Sequence, residues 1–286
     1  MISRCLNQTN SSSVRFGYTE MSDLSVKQLS DRNGLTTDSS IFSFLQRLFG
    51  NRSGGTDDKC KASDQSVPDN FDWRERNAVT SVKDQQDCGS CWAFATVAAI
   101  ESALIIGNKA SVDSIDGSEQ NLVNCVSNGC DGGTSYNAFN YVKKNSVGKE
   151  SNIPYKAKEE SCSNPDDTLP IINDYCIRSK RRYTSSMQSE SLSDKDMQQT
   201  LVKFGPLYIG VDADPLSYRN YRSGIVDDRL CSERINHAVL LVGYTPDAWI
   251  IKNSWGKNWG EEGYFRVARG KNMCGVNTEM AWPTPY

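Results

Sequence analysis

Histidine is all but missing from this chain of 286 residues: there is one, His237. A zinc site of mixed cysteine and histidine ligands therefore has few partners to draw on, and neither a metal nor a cofactor is expected. Long hydrophobic runs are also missing, and nothing approaches the roughly 18 apolar residues of a membrane-spanning helix. The most apolar stretch, Cys91 to Ile106, carries Thr96, Glu101 and Ser102, so it reads as a buried helix. There is no long run of lysine or arginine, the formal net charge is −3 and the pI is near 5.4. Nothing in that balance points to nucleic acid or to an anionic membrane surface. The densest basic cluster, Arg178 to Arg182, is read as part of an exposed loop extending to Asp196. The first thirty residues lack the apolar core of a secretory leader. That leaves either unusual targeting or a chain that starts after its leader was removed.

Cysteine, in contrast, is plentiful: ten residues, many for a reduced cytosolic protein. Cys88 and Cys91 form a Cys-x-x-Cys pair, for which a thioredoxin-like redox role stays open on spacing alone. Three Asn-x-Ser/Thr sequons, at Asn7, Asn10 and Asn51, all precede Pro68. Together these features favour an oxidising compartment on the secretory route.

The chain changes character at Val67-Pro68. Before it, small and polar residues surround one short apolar segment, Ile41 to Phe49, and Gly50 to Gln65 has the composition of an exposed, cleavable linker. After it, helical patterns come first: Cys91 to Ile106, Ser118 to Cys125 and Ser135 to Lys144. From Pro206 onward short β-branched or aromatic runs predict strands, at Leu207–Val211, Ala238–Val242, Trp249–Lys252 and Tyr264–Ala268. Helices followed by strands predict an α+β arrangement or two segregated subdomains.

Chemistry concentrates at three places. Cys91 stands where a helix begins, and free amide donors with a partial positive charge favour a thiolate there. His237 lies in Ile235-Asn236-His237-Ala238-Val239, at the mouth of a strand. Asn253 follows in Ile251-Lys252-Asn253-Ser254-Trp255-Gly256, and a side-chain amide oxygen can hold an imidazole in one tautomer. Against this, most cysteines of a secreted chain are buried or disulfide-bonded, and a lone histidine is more often structural.

With those residues in place, Cys88-Gly89-Ser90-Cys91-Trp92 resembles the signature of the papain/cathepsin family, whose histidine and asparagine follow about 130–150 residues later. His237 falls inside that window and Asn253 slightly beyond it. Further matches are Asp72-Trp73-Arg74, the run Ser118 to Cys125, Gly129-Cys130-Asp131-Gly132-Gly133, Asn253-Ser254-Trp255-Gly256 and Trp259-Gly260-Glu261-Glu262-Gly263-Tyr264. The resemblance covers Pro68 to the C-terminus. It implies a papain-like α+β fold, with a helical left domain, a β-barrel-like right domain and the active-site cleft between them. Residues 1–66 would be a propeptide remnant and linker, and residues 67–286 the peptidase domain. The helical half would span about 77–175, and the β-rich half about 176–286 plus the start of the mature chain.

The resemblance also implies roles. Cys91 and His237 would form a thiolate–imidazolium pair, Asn253 would orient the imidazole beneath Trp255, and Gln85 would donate to the oxyanion hole. Gly132 and Gly133 would leave backbone bare for an extended substrate, and Trp259 would line the leaving-group side. Glu279 would stand at the base of the S2 subsite, where it would either pair with a basic P2 side chain or swing to solvent, while Gly210, Ala238 and Ile235 would accept apolar ones. The disulfides implied are Cys88–Cys130, Cys125–Cys162 and Cys231–Cys274, with Cys60–Cys176 an open option and Cys5 left over. The first of these removes the redox reading of Cys88. Phe16 to Leu24 looks like a degenerate propeptide motif without its preceding helix, which implies a shortened prosegment. By analogy, residues from Asp31 toward Gly50 would cross the cleft in the non-productive direction.

Two departures stand out. Gln86-Asp87 replaces the usual glycine and variable residue, and Thr134 and Ser135 replace larger groups beside the specificity pocket. With one histidine the chain cannot carry the occluding loop of the carboxydipeptidase relatives, so an endopeptidase zymogen is expected. Its partners would be protein or peptide substrates, its own propeptide as inhibitor, and cystatin-type inhibitors, with the chain a monomer that is lysosomal, vacuolar or secreted. An inactive binding homologue and a transamidase sharing the same acyl-enzyme are the alternatives.

Overall fold

The computed structural model describes residues 14–36, 58–62, 66–126, 128–179, 192–213, 216–227 and 231–284. The three sequons, Cys5 and the apolar segment Ile41 to Phe49 lie outside them. The amino-terminal piece forms β1 (Arg15–Phe16), a 3-10 turn at Glu20–Asp23 and α1 (Val26–Arg32). A capping box starts α1: Ser25 Oγ accepts from the Gln28 N–H at 3.2 Å, and Gln28 Oε1 accepts from the Ser25 N–H at 2.9 Å.

The body begins with β2 (Phe71–Asp72). Helix α2 (Cys91–Ile106) follows, with 14 of its 16 residues buried. A helix apolar all round has no face to give to water and must run through the centre. Helices α3 (Glu119–Cys125) and α4 (Ser135–Asn145) pack against it, each started by a side-chain cap from Ser118 or Thr134. The remaining elements are β3 (Tyr175–Ser179), α5 (Asp194–Phe204), β4 (Leu207–Val211), α6 (Leu216–Arg219), β5 (Tyr221–Ser223) and β6 (Ile225–Val226). They are followed by β7 (His237–Tyr244), β8 (Ala248–Lys252), β9 (Tyr264–Ala268) and β10 (Glu279–Pro283).

Among the described residues the large sheet runs β3-β10-β4-β7-β8-β9-β6, with β2 also on β7. Every residue of β7 is buried, because strands flank it on both sides and α2 lies across one face. The expected helices and strands of the body are present within a residue or two. One expectation is corrected: the polar stretch from Arg178 to Asp196 is not loop throughout. Arg178 and Ser179 end β3, paired with Met280 and Glu279, and Asp194 starts α5. Its polar residues are tolerated because β3 is the edge strand and α5 buries only one side.

Among the described residues there are four disulfides: Cys60–Cys176, Cys88–Cys130, Cys125–Cys162 and Cys231–Cys274. The pairing of Cys88 with Cys130 ends the redox reading of the Cys-x-x-Cys spacing.

The sheet makes a stability prediction. Leu241 is fully buried at the centre of β7, opposite Leu207 and Ile251. Leu241→Ala should lower the unfolding free energy in a urea titration by about 3 kcal/mol. Ile171, which is 49% exposed, should tolerate alanine with a change under about 0.5 kcal/mol.

Candidate active site

Cys91 is the first residue of α2 and the one free cysteine among the described residues. Its Sγ accepts a hydrogen bond from the Ala238 N–H at 3.3 Å. The neighbouring residue, His237, is the first of β7, so the seam between helix and sheet brings the two side chains into one buried site.

The imidazole is fixed by hydrogen-bond logic. Asn253 Oδ1 accepts from the Ser254 backbone N–H at 2.8 Å, which identifies that atom as the oxygen. The same oxygen lies 2.8 Å from His237 Nε2, so Nε2 must carry the proton. Nδ1 is then a bare lone pair, buried and without a hydrogen-bond partner among the described residues. The Trp255 ring covers the imidazole at 4.9 Å between centroids, and Trp259 stands edge-on to Trp255 at 5.0 Å. Trp259 itself is 1% exposed and donates Nε1–H to the Tyr218 carbonyl.

Gln85 is completely buried. Its Oε1 accepts from Ser254 Oγ at 2.6 Å, which points Nε2 the other way, toward the mouth of the site. The expected departure at Gln86 has a backbone basis: Gln86 sits at φ 51°, where glycine is the easy choice. Asp84 Oδ1 accepts its N–H at 2.8 Å and holds the turn.

The site is not open. The amino-terminal segment leaves α1 at Arg32 and crosses the cleft as far as Thr36, the last described residue there. Leu35 pairs with Gly133 in parallel: Gly133 N–H donates to Gly34 O at 2.7 Å, and Thr36 N–H donates to Gly133 O at 2.9 Å. Leu35 N–H donates to Asn236 O at 2.9 Å, and its side chain lies against Gly210 and Ile235. The Arg32 carbonyl takes the Gln85 Nε2–H at 2.8 Å. Expectation placed the crossing from Asp31 toward Gly50; residues 37–50 lie outside the described ones.

Upstream, Thr19 Oγ1 donates to Arg219 O at 2.6 Å, and the Arg219 guanidinium donates to the carbonyls of Met21 and Ser22. Gly133 has no room for a Cβ, which would lie 2.5 Å from the Trp92 ring, and Gly132 adopts φ 112°. Glu279 is half-buried and accepts from Ser135 Oγ at 2.7 Å, so it does not swing to solvent.

Burial decides the charge state in this closed arrangement. It pushes the Cys91 thiol up to about 11, against which the N–H groups of Ala238, Gly34 and Trp92 pull only partly. Burial also pushes His237 down to about 4, against the Asn253 hydrogen bond. Burial thus works against both members of the thiolate–imidazolium pair that the resemblance implies, for as long as the segment covers them. Helix-start donors offset the burial of the thiol only in part.

Of the expected residues, Gln85, Cys91, His237, Asn253, Gly132 and Gly133 gather around the thiol and the segment that covers it, Trp259 packs edge-on to Trp255, and Glu279 is bound to Ser135. Asn236 and Ser254, not among the expected site residues, touch the amino-terminal segment and Gln85 through a carbonyl and a hydroxyl, and neither atom carries a composition signal.

The chain belongs to the papain family. Its sequence matches the profile of the papain family cysteine proteases over residues 67–284. It is 37% identical over 231 residues to cathepsin L of Sarcophaga peregrina, covering 77% of this chain and 64% of the relative. Among solved structures it resembles a digestive procathepsin L2 from the larval midgut of Tenebrio molitor, with TM-score 0.80 and 29% identity over 99% of this chain and 87% of that one. It also resembles a Carica candamarcensis cysteine protease solved in complex with E-64, with TM-score 0.67 and 32% identity over 77% of this chain and 99% of that one.

Gly34 is the tightest point of the papain-family cleft as occupied here. A Cβ on it would lie 1.7 Å from the Gly89 carbonyl oxygen. Gly34→Ala should unseat the segment and return water to Cys91. Alkylation by iodoacetamide, followed by mass spectrometry from pH 5 to 9, should be slow in the parent and rise about ten-fold per pH unit, as a thiol far below its pKa requires. The variant should react faster throughout and with a flatter profile.

Proposed function

We propose that the chain is a cysteine endopeptidase made as a zymogen, whose own amino-terminal segment keeps it latent. The observation that carries this reading is a free thiol at the head of a buried helix, beside an imidazole whose bare Nδ1 has no hydrogen-bond partner among the described residues. A sulfur and a base in one buried site can exchange a proton.

Departure of the segment would rehydrate the site and lift the burial penalty on both charges, allowing a Cys91 thiolate and a His237 imidazolium to coexist. The thiolate adds to a peptide carbonyl, and the oxyanion takes hydrogen bonds from Gln85 Nε2–H and the Cys91 N–H. Such a donor contributes about 3 kcal/mol to the transition state. His237 then gives its proton to the leaving amine, which departs and leaves a thioester. Water, deprotonated by the same imidazole, releases the acid and restores the thiol. Asn253 keeps the ring oriented, and Trp255 shelters that hydrogen bond. Gly132 and Gly133 would pair with the substrate strand, and Trp259 would border the leaving-group side.

The pocket now filled by Leu35 would receive the P2 side chain. Gly210 and Ile235 suit an apolar residue, and Glu279, tethered by Ser135, supplies a carboxylate for a basic one. Peptides and proteins are the proposed substrates, with cystatin-type inhibitors as further partners. An acidic or extracellular compartment fits the four disulfides.

Two experiments test this reading. An epoxide inhibitor of the E-64 type should label the chain only after acid processing and never in Cys91→Ala; failure to label under any condition would favour a non-enzymatic homologue. For the P2 pocket, Glu279→Ala should reduce the ratio of kcat/KM for P2 Arg over P2 Leu by about ten-fold, the scale of a partly desolvated ion pair. An unchanged ratio sinks the P2 assignment.

A further inference from the structure

The prosegment leaves one feature unexplained by cleft blocking alone: where it puts an arginine. The Arg32 guanidinium reaches Asp87 Oδ1 from Nε at 3.2 Å and from Nη2 at 3.1 Å. Its Nη1 is 3.7 Å from Asp84 Oδ1. The arginine side chain is only 11% exposed, whereas those of Asp84 and Asp87 are 41% and 61% exposed. The two carboxylates therefore form the wall of a slot and the guanidinium its filling. Among the described residues, no other cation lies within ion-pair distance of either. Asp84 is held in place, since its Oδ1 accepts the Gln86 N–H and its backbone forms a bridge with Trp255.

The register identifies the substrate position that this slot serves. The Arg32 carbonyl occupies the Gln85 Nε2–H, the donor assigned above to the scissile carbonyl. From that carbonyl the chain continues through Gly34 to Leu35, which pairs with Gly133 on the acyl side. Arg32 Cα thus lies on the opposite, leaving-group side. A substrate bound in the productive direction has its scissile carbonyl at the same donor, and the first leaving-group residue, P1′, follows on that side. The Arg32 side chain stands in for a P1′ side chain.

We propose that Asp84 and Asp87 form a basic-selective S1′ subsite, which favours substrates with arginine, and next lysine, immediately after the scissile bond. Arginine suits it better because a planar guanidinium meets two carboxylates at once, whereas an ammonium is a point charge. A carboxylate at P1′ is repelled. The assignment rests on the endopeptidase reading and deepens it.

The test uses the acid-processed enzyme and internally quenched peptides that differ only at P1′: Arg, Lys, Ala or Glu. At low salt kcat/KM for Arg should exceed that for Ala by about five-fold, as an ion pair at a partly exposed site gives. Glu should fall below Ala, and the spread should shrink as salt is added. Asp87→Asn, at an exposed position, should bring the Arg-to-Ala ratio close to one. Equal cleavage of the Arg and Ala peptides by the parent enzyme overturns the subsite. So does a preference that neither salt nor Asp87→Asn alters. A processed enzyme that cuts the Ala peptide without regard to charge defeats the subsite alone; one that cuts none of the four defeats the peptidase reading with it.

Discussion

One hydrogen bond marks the joint on which the molecule turns: the Ala238 N–H to the Cys91 sulfur, between the first residue of α2 and the second of β7. Helix and strand come from opposite halves, and the reactive pair exists only where they meet. Both elements are buried on nearly every face, so neither slides without exposing apolar surface. Charged groups lock the same joint. Lys83 binds Glu119 and the Gly117 carbonyl, Glu101 takes the Thr80 hydroxyl, and Lys252 reaches that hydroxyl from β8. Burial pushes Lys252 down to about 8 and Glu119 up to about 8, the second opposed by Lys83. Such buried ions add little net stability but are intolerant of misplacement, and Lys252 immediately precedes Asn253. The network fixes the strand that holds the imidazole.

The same burial supports the proposed latency in two ways. Leu35 and Gly34 occupy backbone groups and the apolar pocket that a peptide would use, and by keeping water out they disfavour charge on both the thiol and the imidazole. The sign of the pH effect follows. An unfolded chain takes up a proton on histidine near 6.5, while the covered His237 resists until about 4. The covered state therefore loses stability as pH falls through that window, by at most ~3 kcal/mol at its lower end. Relative to the unfolded chain, acid thus works against the folded, covered state through the imidazole that burial keeps from charging.

The peptidase half was easy to read because its elements carry strong local patterns. The Cys91–Ile106 run is apolar enough to be only a central helix, and β4 and β9 begin and end at the expected residues. The cluster of Gln85, Cys91, His237 and Asn253 came from a resemblance; spacing alone left a redox pair open until Cys88 met Cys130. What stayed hidden depended on long-range contact. Arg178 looked like loop because an edge strand needs no apolar alternation. The burial that pushes the Cys91 thiol up was not legible, because local sequence records a helix start but not the strap that covers it. Gln86-Asp87 was noticed as a departure, yet its partner, Arg32, lies in a segment with no strong pattern of its own.

The direction of the strap accounts for its survival in a cleft proposed to cut peptides. Its Arg32 carbonyl accepts from Gln85, as a scissile carbonyl would, so carbonyl position is not the missing element. The chain runs parallel to Gly133, and the amide nitrogen attached to that carbonyl, that of Asn33, therefore lies toward the acyl side. Attack by the sulfur would place the leaving amine away from the side where His237 must deliver its proton. The Arg32 side chain, bound to Asp84 and Asp87, and the Leu35 side chain, against Ile235, anchor the strap on either side of the sulfur. Polarity of the backbone, more than shape, separates inhibitor from substrate, because both use the same donors and the same pockets.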